Sequence, residues 1–157
     1  MFRRILVPVD YSEHSRASVL VAAELAKATG ATVDIVHVWD RPLYVPEGVM
    51  VRRQGEEHRS LAELIRENAE KDMNDFLATL ELPDGVPVTH RMCSGEPAQK
   101  LVEEARTGEY DLIVVGTHGR AGVLHLLLGS TAERLVRLSP VPVLVVPPKG
   151  RGSAGTS

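Results

Sequence analysis

The chain has little cysteine, and this scarcity excludes several kinds of site. Cys93 is the only cysteine among 157 residues, so no intrachain disulfide, cysteine-based zinc cluster or CxxC redox pair can form. A lone thiol fits a reducing compartment, and we expect a cytoplasmic protein. Cys93 itself is expected to be a small buried or half-buried side chain, the alternative being a reactive thiol.

Long apolar runs and a strong charge of either sign are also absent. The N-terminal segment MFRRILVPVDYSEHS has only five apolar residues before Asp10, too few for a signal peptide, and no run approaches a membrane span. The formal net charge of -3 is spread along the chain and gives no clustered basic face. We therefore expect no membrane and no nucleic acid as partner, so any anion must be held locally.

Two common phosphate-binding signatures are missing, but another glycine pattern is present. No GxxxxGK(S/T) motif occurs, and no GxGxxG follows the first apolar run. Instead, residues 116 to 131 read GTHGRAGVLHLLLGST and directly follow the apolar run of residues 112 to 115. Glycine lets the main chain approach a ligand closely, and a helix start offers unpaired N–H groups. A strand, a glycine loop and a helix start in this order predict an anion site.

Strand-like runs alternate with helical stretches along the chain. Four runs are rich in β-branched residues and mostly lack polar alternation, as expected for parallel strands covered on both faces. They comprise residues 5 to 9, 33 to 38, 112 to 115 and 141 to 146. A weaker run, residues 86 to 92, contains Pro87 and is placed third, at an edge. Right-handed crossovers then predict an α/β fold, a doubly wound five-stranded parallel sheet of order 3-2-1-4-5 with helices on both faces.

Helical patterns occupy the gaps between these runs. The predicted helices cover residues 13 to 28 after a capping candidate at Ser12, residues 60 to 80, residues 97 to 106, and a fourth segment that ends before Pro140. The longest carries an apolar stripe that is expected to face the core. The stripe consists of Ala62, Ile65, Ala69, Met73, Phe76, Leu77 and Leu80. Residues 40 to 59, rich in proline, glycine and charge, predict a loop long enough to act as a lid.

The glycine spacing resembles a known nucleotide motif. Gly116-x2-Gly119-x9-Gly129-Ser130 matches the motif of the universal stress protein family, in its ATP-binding branch. Residues 5 to 12 (ILVPVDYS), the pair His37-Val38 and residues 139 to 146 (SPVPVLVV) match as well, so the resemblance covers about residues 3 to 148. It implies a Rossmann-like nucleotide-binding domain over residues 1 to 148, followed by a tail, residues 149 to 157, that we expect to be disordered.

The resemblance also implies a ligand, ATP or another adenine nucleotide, and the residues that hold it. Pro8, Val9 and Asp10 would line the nucleotide from the end of the first strand, while Val38 would meet adenine through its main chain. Asp10 would face ribose or a metal ion, and we expect Mg²⁺ because this ion keeps waters and phosphate oxygens as ligands. The remaining residues would surround the phosphates: Gly116, His118, Gly119, Arg120, Gly129, Ser130 and Thr131.

Simpler interpretations of the same residues stay open. The three glycines could serve only turns and caps, and Asp10 could serve only to cap the helix that begins near Ser12. Arg120 and His118 could be ordinary solvated loop side chains. His37, in an apolar strand, is expected to be a hydrogen-bonded core histidine and is left outside the site.

Two apolar segments bear on assembly. Residues 123 to 128 read VLHLLL, and they either pack under the glycine loop or face a partner. The strand at residues 141 to 146 is an apolar edge strand, which favours pairing with another chain. The family resemblance implies a homodimer joined antiparallel through this strand.

Catalytic machinery is harder to find in the sequence. No general base accompanies the glycine loop, and no Ser/His/Asp or Cys/His arrangement follows from residue order, so no catalytic residue is assigned. The leading hypothesis is an ATP-binding, nucleotide-responsive stress or regulatory factor whose protein partner is unknown. The alternatives are a slow metal-dependent ATP hydrolase that uses Asp10, and a nucleotide-free dimeric interaction module.

Overall fold

Strands and helices alternate through most of the chain. The computed structural model describes residues 1–39, 48–52, 54–55, 57–118 and 128–148. The elements of these residues are β1 (Arg4–Pro8), α1 (Glu13–Thr29), β2 (Thr32–Trp39), β3 (Met50–Val51), β4 (Arg59–Ser60), α2 (Leu61–Ala78), β5 (Val88–Ser94), α3 (Pro97–Thr107), β6 (Leu112–Gly116), α4 (Ser130–Leu138) and β7 (Val143–Val146).

Five of the strands form one parallel sheet in the order β5-β2-β1-β6-β7. This is the predicted order 3-2-1-4-5, so the prediction of a doubly wound, Rossmann-like α/β fold is confirmed. The order reverses between β1 and β6, where Ile5 is paired with Leu112. Leu6 and Ile113 have no exposed surface, because helices cover both faces of these central strands.

The two edge strands begin later than the sequence predicts. β5 starts at Val88 and β7 at Val143, in each case directly after a proline. The carbonyl oxygen of Pro87 accepts a main-chain hydrogen bond of 2.9 Å from β2, and that of Pro142 accepts one of 2.9 Å from β6. Proline has no N–H to donate but keeps its acceptor, so both prolines mark the start of an edge strand.

Helices cover both faces of the sheet, as predicted. α1 packs on β1 and β6, while α3 packs on β2 and β5, and α4 packs on β7 and on α3. Leu101 of α3 and Leu135 of α4 join Leu6, Val36 and Ile113 in one buried apolar cluster. Burial of such aliphatic side chains is worth about 1.5–3 kcal/mol each and holds these helices on the sheet.

Side-chain and main-chain caps set the ends of the helices. Ser12 is the N-cap of α1, as predicted, and its Oγ accepts the N–H of Ser15 at 3.2 Å. Gly30 ends the helix in the left-handed region, with φ of 75°. α3 begins at Pro97 as predicted, but its N-cap is Glu96, whose carboxylate accepts the N–H of the third helical residue at 2.8 Å.

The described residues between 48 and 80 form a compact unit of their own. β3 and β4 pair antiparallel, with Met50 opposite Ser60, and α2 follows directly. The prediction of a loop over residues 40 to 59 is therefore wrong in part, because two-residue strands are too short to produce a recognisable alternation. Residues 40 to 47 lie outside the described residues, so the lid stays a prediction, as do the tail at residues 149 to 157 and the single domain over residues 1 to 148.

The apolar stripe of α2 is only partly buried. Met73 and Phe76 are buried and Ile65 and Ala69 are half-buried, whereas Ala62 is exposed, so the prediction of a continuous core-facing stripe is wrong at the first turn. A helical period identifies side chains that share a face, but it does not determine how much of that face another element covers.

Candidate functional site

A cleft of about 510 Å³ opens at the carboxyl ends of the central strands, within the unit that holds the five-stranded sheet. It lies where the strand order reverses, between the ends of β1 and β6. The chain leaves neighbouring strands toward opposite faces at such a reversal, and a crevice remains between the two connections. The lining residues are Pro8, Val9, Asp10, Ser15, Val36, Val38, Pro97, Leu101, Val115, Gly116, Thr117, His118, Gly129, Ser130, Thr131 and Ala132.

Nine of the eleven predicted site residues line this one cleft. They are Pro8, Val9, Asp10, Val38, Gly116, His118, Gly129, Ser130 and Thr131. The other two, Gly119 and Arg120, lie outside the described residues, as do residues 123 to 127 of the apolar stretch. Residues far apart in sequence meet here because the carboxyl ends of parallel strands share one edge of the sheet.

One wall of the cleft is apolar, and sequence reasoning missed most of it. Val36, Val115, Leu101 and Ala132 belong to the buried cluster between the sheet and helices α3 and α4, and they also line the cleft. Pro97, at the start of α3, extends this wall. Their apolar character was visible in the sequence, but the packing of α3 and α4 decides that they border a cavity.

Gly116 is required by packing. A Cβ atom at this position would lie 2.9 Å from Cβ of His14 and 2.9 Å from its carbonyl oxygen. Real Cβ contacts are longer, and the main chain of His14 cannot move without shifting the first turn of α1. Gly116 therefore allows the first turn of α1 to approach the end of β6 closely.

Gly129 is not required by its own backbone conformation. It is the N-cap of α4 with φ of -61° and ψ of 156°, which any residue adopts, and its N–H donates to the carbonyl of Thr117 at 2.6 Å. Glycine has no side chain with which to cap the following N–H groups. The start of α4 therefore presents main-chain donors, together with the hydroxyl groups of Ser130 and Thr131, at the lining of the cleft.

Asp10 combines a structural role with a place in the cleft. Its Oδ1 accepts the N–H of Ser12 at 3.0 Å and the hydroxyl of Ser15 at 3.1 Å, so it stabilises the first turn of α1. The interpretation of Asp10 as a capping residue thus has geometric support. Asp10 is also the one carboxylate among the lining residues that the structure describes, so it is the group available there to a hard cation or a ribose hydroxyl.

Tyr11 and His37 fix the chain that leaves β1. Tyr11 lies in the left-handed region with φ of 66°, and its ring stacks on that of His37 with centroids 4.4 Å apart. His37 donates from Nδ1 to the carbonyl of Val9 at 2.8 Å. The predicted hydrogen bond of His37 is confirmed, but the side chain is half-buried rather than in the core. These contacts hold the strained backbone at Tyr11, the residue that follows Asp10.

Three buried polar atoms near the glycine loop have no hydrogen-bond partner in the described part of the chain: Nδ1 of His14, Oγ1 of Thr117 and Nε2 of His118. Thr117 and His118 line the cleft, while His14 lies in the first turn of α1. Native proteins rarely leave buried polar atoms unpaired, so atoms of this kind mark places where a ligand, ion or water completes the structure.

Cys93 lies in a different polar cluster and is half-buried, as predicted. Its Sγ is 3.9 Å from Oε1 of Glu104 and 3.4 Å from Nη1 of Arg91. Burial raises the pKa of the Cys93 thiol, and the nearby Arg91 guanidinium only partly offsets this effect. A protonated thiol is a weak nucleophile, so the structure gives no support to a reactive Cys93.

The described residues hold neither a ready-made metal cluster nor a helix suited to span a membrane. No group of three or more histidine, cysteine, aspartate or glutamate side chains suited to a metal occurs among them. A magnesium ion at Asp10 would therefore take most of its ligands from water or from a bound anion. In the same residues, no helix has both the length and the apolar character needed to cross a bilayer.

Fold and cleft together define an α/β protein of the doubly wound class, with a glycine-bordered ligand cleft at the topological switch point. The family model described as the universal stress protein family matches residues 1–147. The chain belongs to this family.

Similar proteins cover almost the whole chain. Universal stress protein MJ0531 of Methanocaldococcus jannaschii is 33% identical over 146 residues, which are 93% of this chain and 82% of that protein. Among solved structures, that of hypothetical protein MJ0577 has a TM-score of 0.71 at 27% identity and covers 94% of this chain and 96% of its own. A universal stress protein solved in complex with cAMP has a TM-score of 0.60 at 23% identity, and the match covers 92% of this chain and 96% of that protein's chain.

Proposed function

We propose that this protein binds ATP in the cleft and acts as a nucleotide-responsive stress or regulatory factor. The observation that carries the proposal is the convergence of Gly116, Gly129 and the start of α4 with the end of β1 on one cavity. These parts are distant in sequence. Together they supply close main-chain approach, helix N–H donors and a carboxylate, which is what a nucleotide phosphate with its metal ion requires.

The cleft has two chemically different sides, and the nucleotide is assigned to them accordingly. Adenine would lie against the apolar wall, near Val38, Leu101 and Ala132, because a flat aromatic base favours apolar contact. The phosphates would lie at Gly116, His118, Gly129, Ser130 and Thr131. The volume of about 510 Å³ is within the range of about 300–1,000 Å³ that is usual for small-molecule sites.

The remaining assignments follow the family motif. Asp10 would face the ribose or hold Mg²⁺ in contact with the phosphates, and Gly119 with Arg120 would close around them. Slow ATP hydrolysis, the alternative function, would use the same carboxylate of Asp10 to hold the metal ion.

The first experiment is to release and identify any small molecule that copurifies with the protein. Freshly purified protein is denatured, and the supernatant is separated by ion-exchange chromatography next to ATP, ADP and AMP standards. We expect an adenine nucleotide in the supernatant, or saturable ATP binding by an empty preparation in calorimetry. An empty preparation that also ignores added ATP would contradict the proposal and favour the nucleotide-free interaction module.

We also propose that two copies of the chain associate through β7. This strand pairs on one side with β6 and ends the sheet, and Leu144 within it is 38% exposed. Val136 and Leu138 of α4 are about half exposed as well, and α4 packs on β7. An apolar edge strand next to apolar side chains favours pairing with a second identical edge.

We further propose that the protein is cytoplasmic, because a single cysteine fits a reducing compartment.

Light scattering after size exclusion tests the association. We expect twice the chain mass of 17.1 kDa for the natural protein and a monomer for Leu144→Lys, because a charge on an edge strand opposes strand pairing. Met50→Lys, at another exposed apolar strand residue, is the matched control and should leave the mass unchanged. A natural protein that stays monomeric at micromolar concentration would exclude the dimer.

A further inference from the structure

Two imidazole rings meet beside the cleft, and each has a buried nitrogen without a hydrogen bond. His14 belongs to the first turn of α1 and His118 follows β6, with ring centroids 5.5 Å apart and ring planes inclined by 58°. Nδ1 of His14 and Nε2 of His118 are out of contact with solvent and have no partner among the described residues. Oγ1 of Thr117, the residue before His118, is likewise buried and has no hydrogen-bond partner among the described residues.

Such a cluster needs a physical explanation. A buried ring nitrogen that has lost water without gaining a partner destabilises the folded protein, and here two of them come from segments that are distant in sequence. Two occupants could satisfy both nitrogens, a metal ion or a buried water. Imidazole nitrogens bind a zinc-type ion at about 2.0–2.1 Å, which puts the centroids of two rings on one ion about 5–6 Å apart. The observed 5.5 Å fits this spacing.

We infer that His14 and His118 hold one divalent cation of the kind that imidazole favours, such as Zn²⁺, Co²⁺ or Ni²⁺. Mg²⁺ would not suit the pair because it prefers oxygen ligands. The site is distinct from the proposed magnesium position, since Asp10 forms no group of three with these histidines in the described part of the chain. Water would complete the coordination, or phosphate oxygens when a nucleotide is bound, but the site does not depend on the nucleotide.

The packing of α1 prepares this site. The main chain and Cβ of His14 rest directly on Gly116, where an added Cβ would come within 2.9 Å of both. His118 follows two residues later, so the two rings are brought together by the same close approach of helix and strand end. A metal site of two ligands needs this rigidity, because neither ring can be allowed to rotate away.

The test uses nucleotide-free protein without a polyhistidine tag, titrated with Co²⁺ and Zn²⁺ separately in calorimetry, with visible absorption recorded for Co²⁺. We expect saturable binding of one ion per chain. His14→Ala and His118→Ala should each weaken it at least about tenfold, since even outer-shell partners contribute that much to metal affinity. His90→Ala, which removes an exposed histidine of β5, is the matched control and should bind as the natural protein does.

Circular dichroism of each variant checks the fold, and His14→Gln with His118→Gln replaces the alanine variants if either fails to fold. Binding that is absent in the natural protein, or equal in the natural protein and both histidine variants, would overturn the inference and favour a buried water. A loss of metal affinity of the same size in His90→Ala would also overturn the inference, because it would indicate nonspecific binding at the surface. Because ATP is left out, failure here is distinct from failure of the proposed nucleotide site.

Discussion

Gly129→Val is expected to weaken ATP binding at least about 100-fold, or about 2.7 kcal/mol, with little change in the fold. The backbone of Gly129 is in an ordinary extended conformation, so valine can adopt it without strain. Its isopropyl group would instead occupy space at the start of α4, where the phosphates would approach main-chain N–H groups. Calorimetric titration with ATP measures the loss, and circular dichroism with urea unfolding follows the fold.

Glu133→Val is the matched control for this substitution. It introduces the same side chain into α4, at an exposed position that does not line the cleft. We expect ATP affinity within about twofold of the natural protein, corresponding to about 0.4 kcal/mol. Equal affinities of Gly129→Val and the natural protein would locate the nucleotide elsewhere, and an equal loss in Glu133→Val would attribute the effect to the helix as a whole.

Asp34→Ala is expected to lower the free energy of unfolding by about 3–5 kcal/mol. Asp34 is 2% exposed, and its carboxylate accepts hydrogen bonds from the hydroxyl of Tyr110, from Oγ1 of Thr89 at 3.0 Å and from Nε of Arg91 at 3.4 Å. Arg4 approaches the same carboxylate at 3.3 Å. Removing the carboxylate leaves its buried donors without a partner. The resulting loss in the free energy of unfolding exceeds the net stabilisation that the intact ion pairs provide.

Urea unfolding at neutral pH measures this loss. Asp75→Ala is the matched control, because Asp75 also pairs with a cation, Lys71 at 2.6 Å, but both side chains are well exposed. Solvent screens an exposed pair, so the control should unfold almost as the natural protein does. A change of similar size in both variants would show that Asp34 is not a special centre of stability.

The same carboxylate predicts how stability depends on pH. Burial raises the pKa of Asp34, but hydrogen bonds from Tyr110 and Thr89 and the charge of Arg91 outweigh it, so the folded-state pKa lies below the ordinary 3.8. The unfolded chain therefore takes up this proton first as the pH falls. The stabilisation is complete above the ordinary pKa and is lost as the pH falls through the folded-state value. The difference in unfolding free energy between the natural protein and Asp34→Asn should shrink toward acid pH.

Local patterns in the sequence were sufficient to predict most of the fold. Continuous apolar runs identified the central strands, because a parallel strand covered on both faces needs apolar residues at every position. Ser12 and Pro97 located two helix starts through rules that depend on a few neighbouring residues. The short pair β3 and β4 was missed because two residues cannot show a period, and the stripe of α2 was overestimated because coverage depends on other elements.

The residues of the candidate site also fall into two groups, those that the sequence could identify and those that it could not. The motif residues Gly116, Gly129, Ser130 and Thr131 could be selected from spacing and residue type, and the end of β1 through the family resemblance; together they line one cleft. Leu101 and Ala132 could not be selected, since nothing local distinguishes an apolar side chain that borders a cavity from one that fills the core. The ring contact of His14 with His118 was also invisible, because it joins residues more than a hundred positions apart.

The order of residues alone determined which segments become the helices and the five strands of the main sheet, how these strands are arranged, and which loop carries glycines suited to an anion. Those properties depend on short-range sterics and on hydrophobic periodicity, which neighbouring residues encode. Tertiary structure alone decided that α1 requires a glycine at position 116, that Asp34 gathers donors from β1, β5 and Tyr110, and that the rings of His14 and His118 meet. Contacts of this kind depend on how packed elements meet in space, and no local pattern records that.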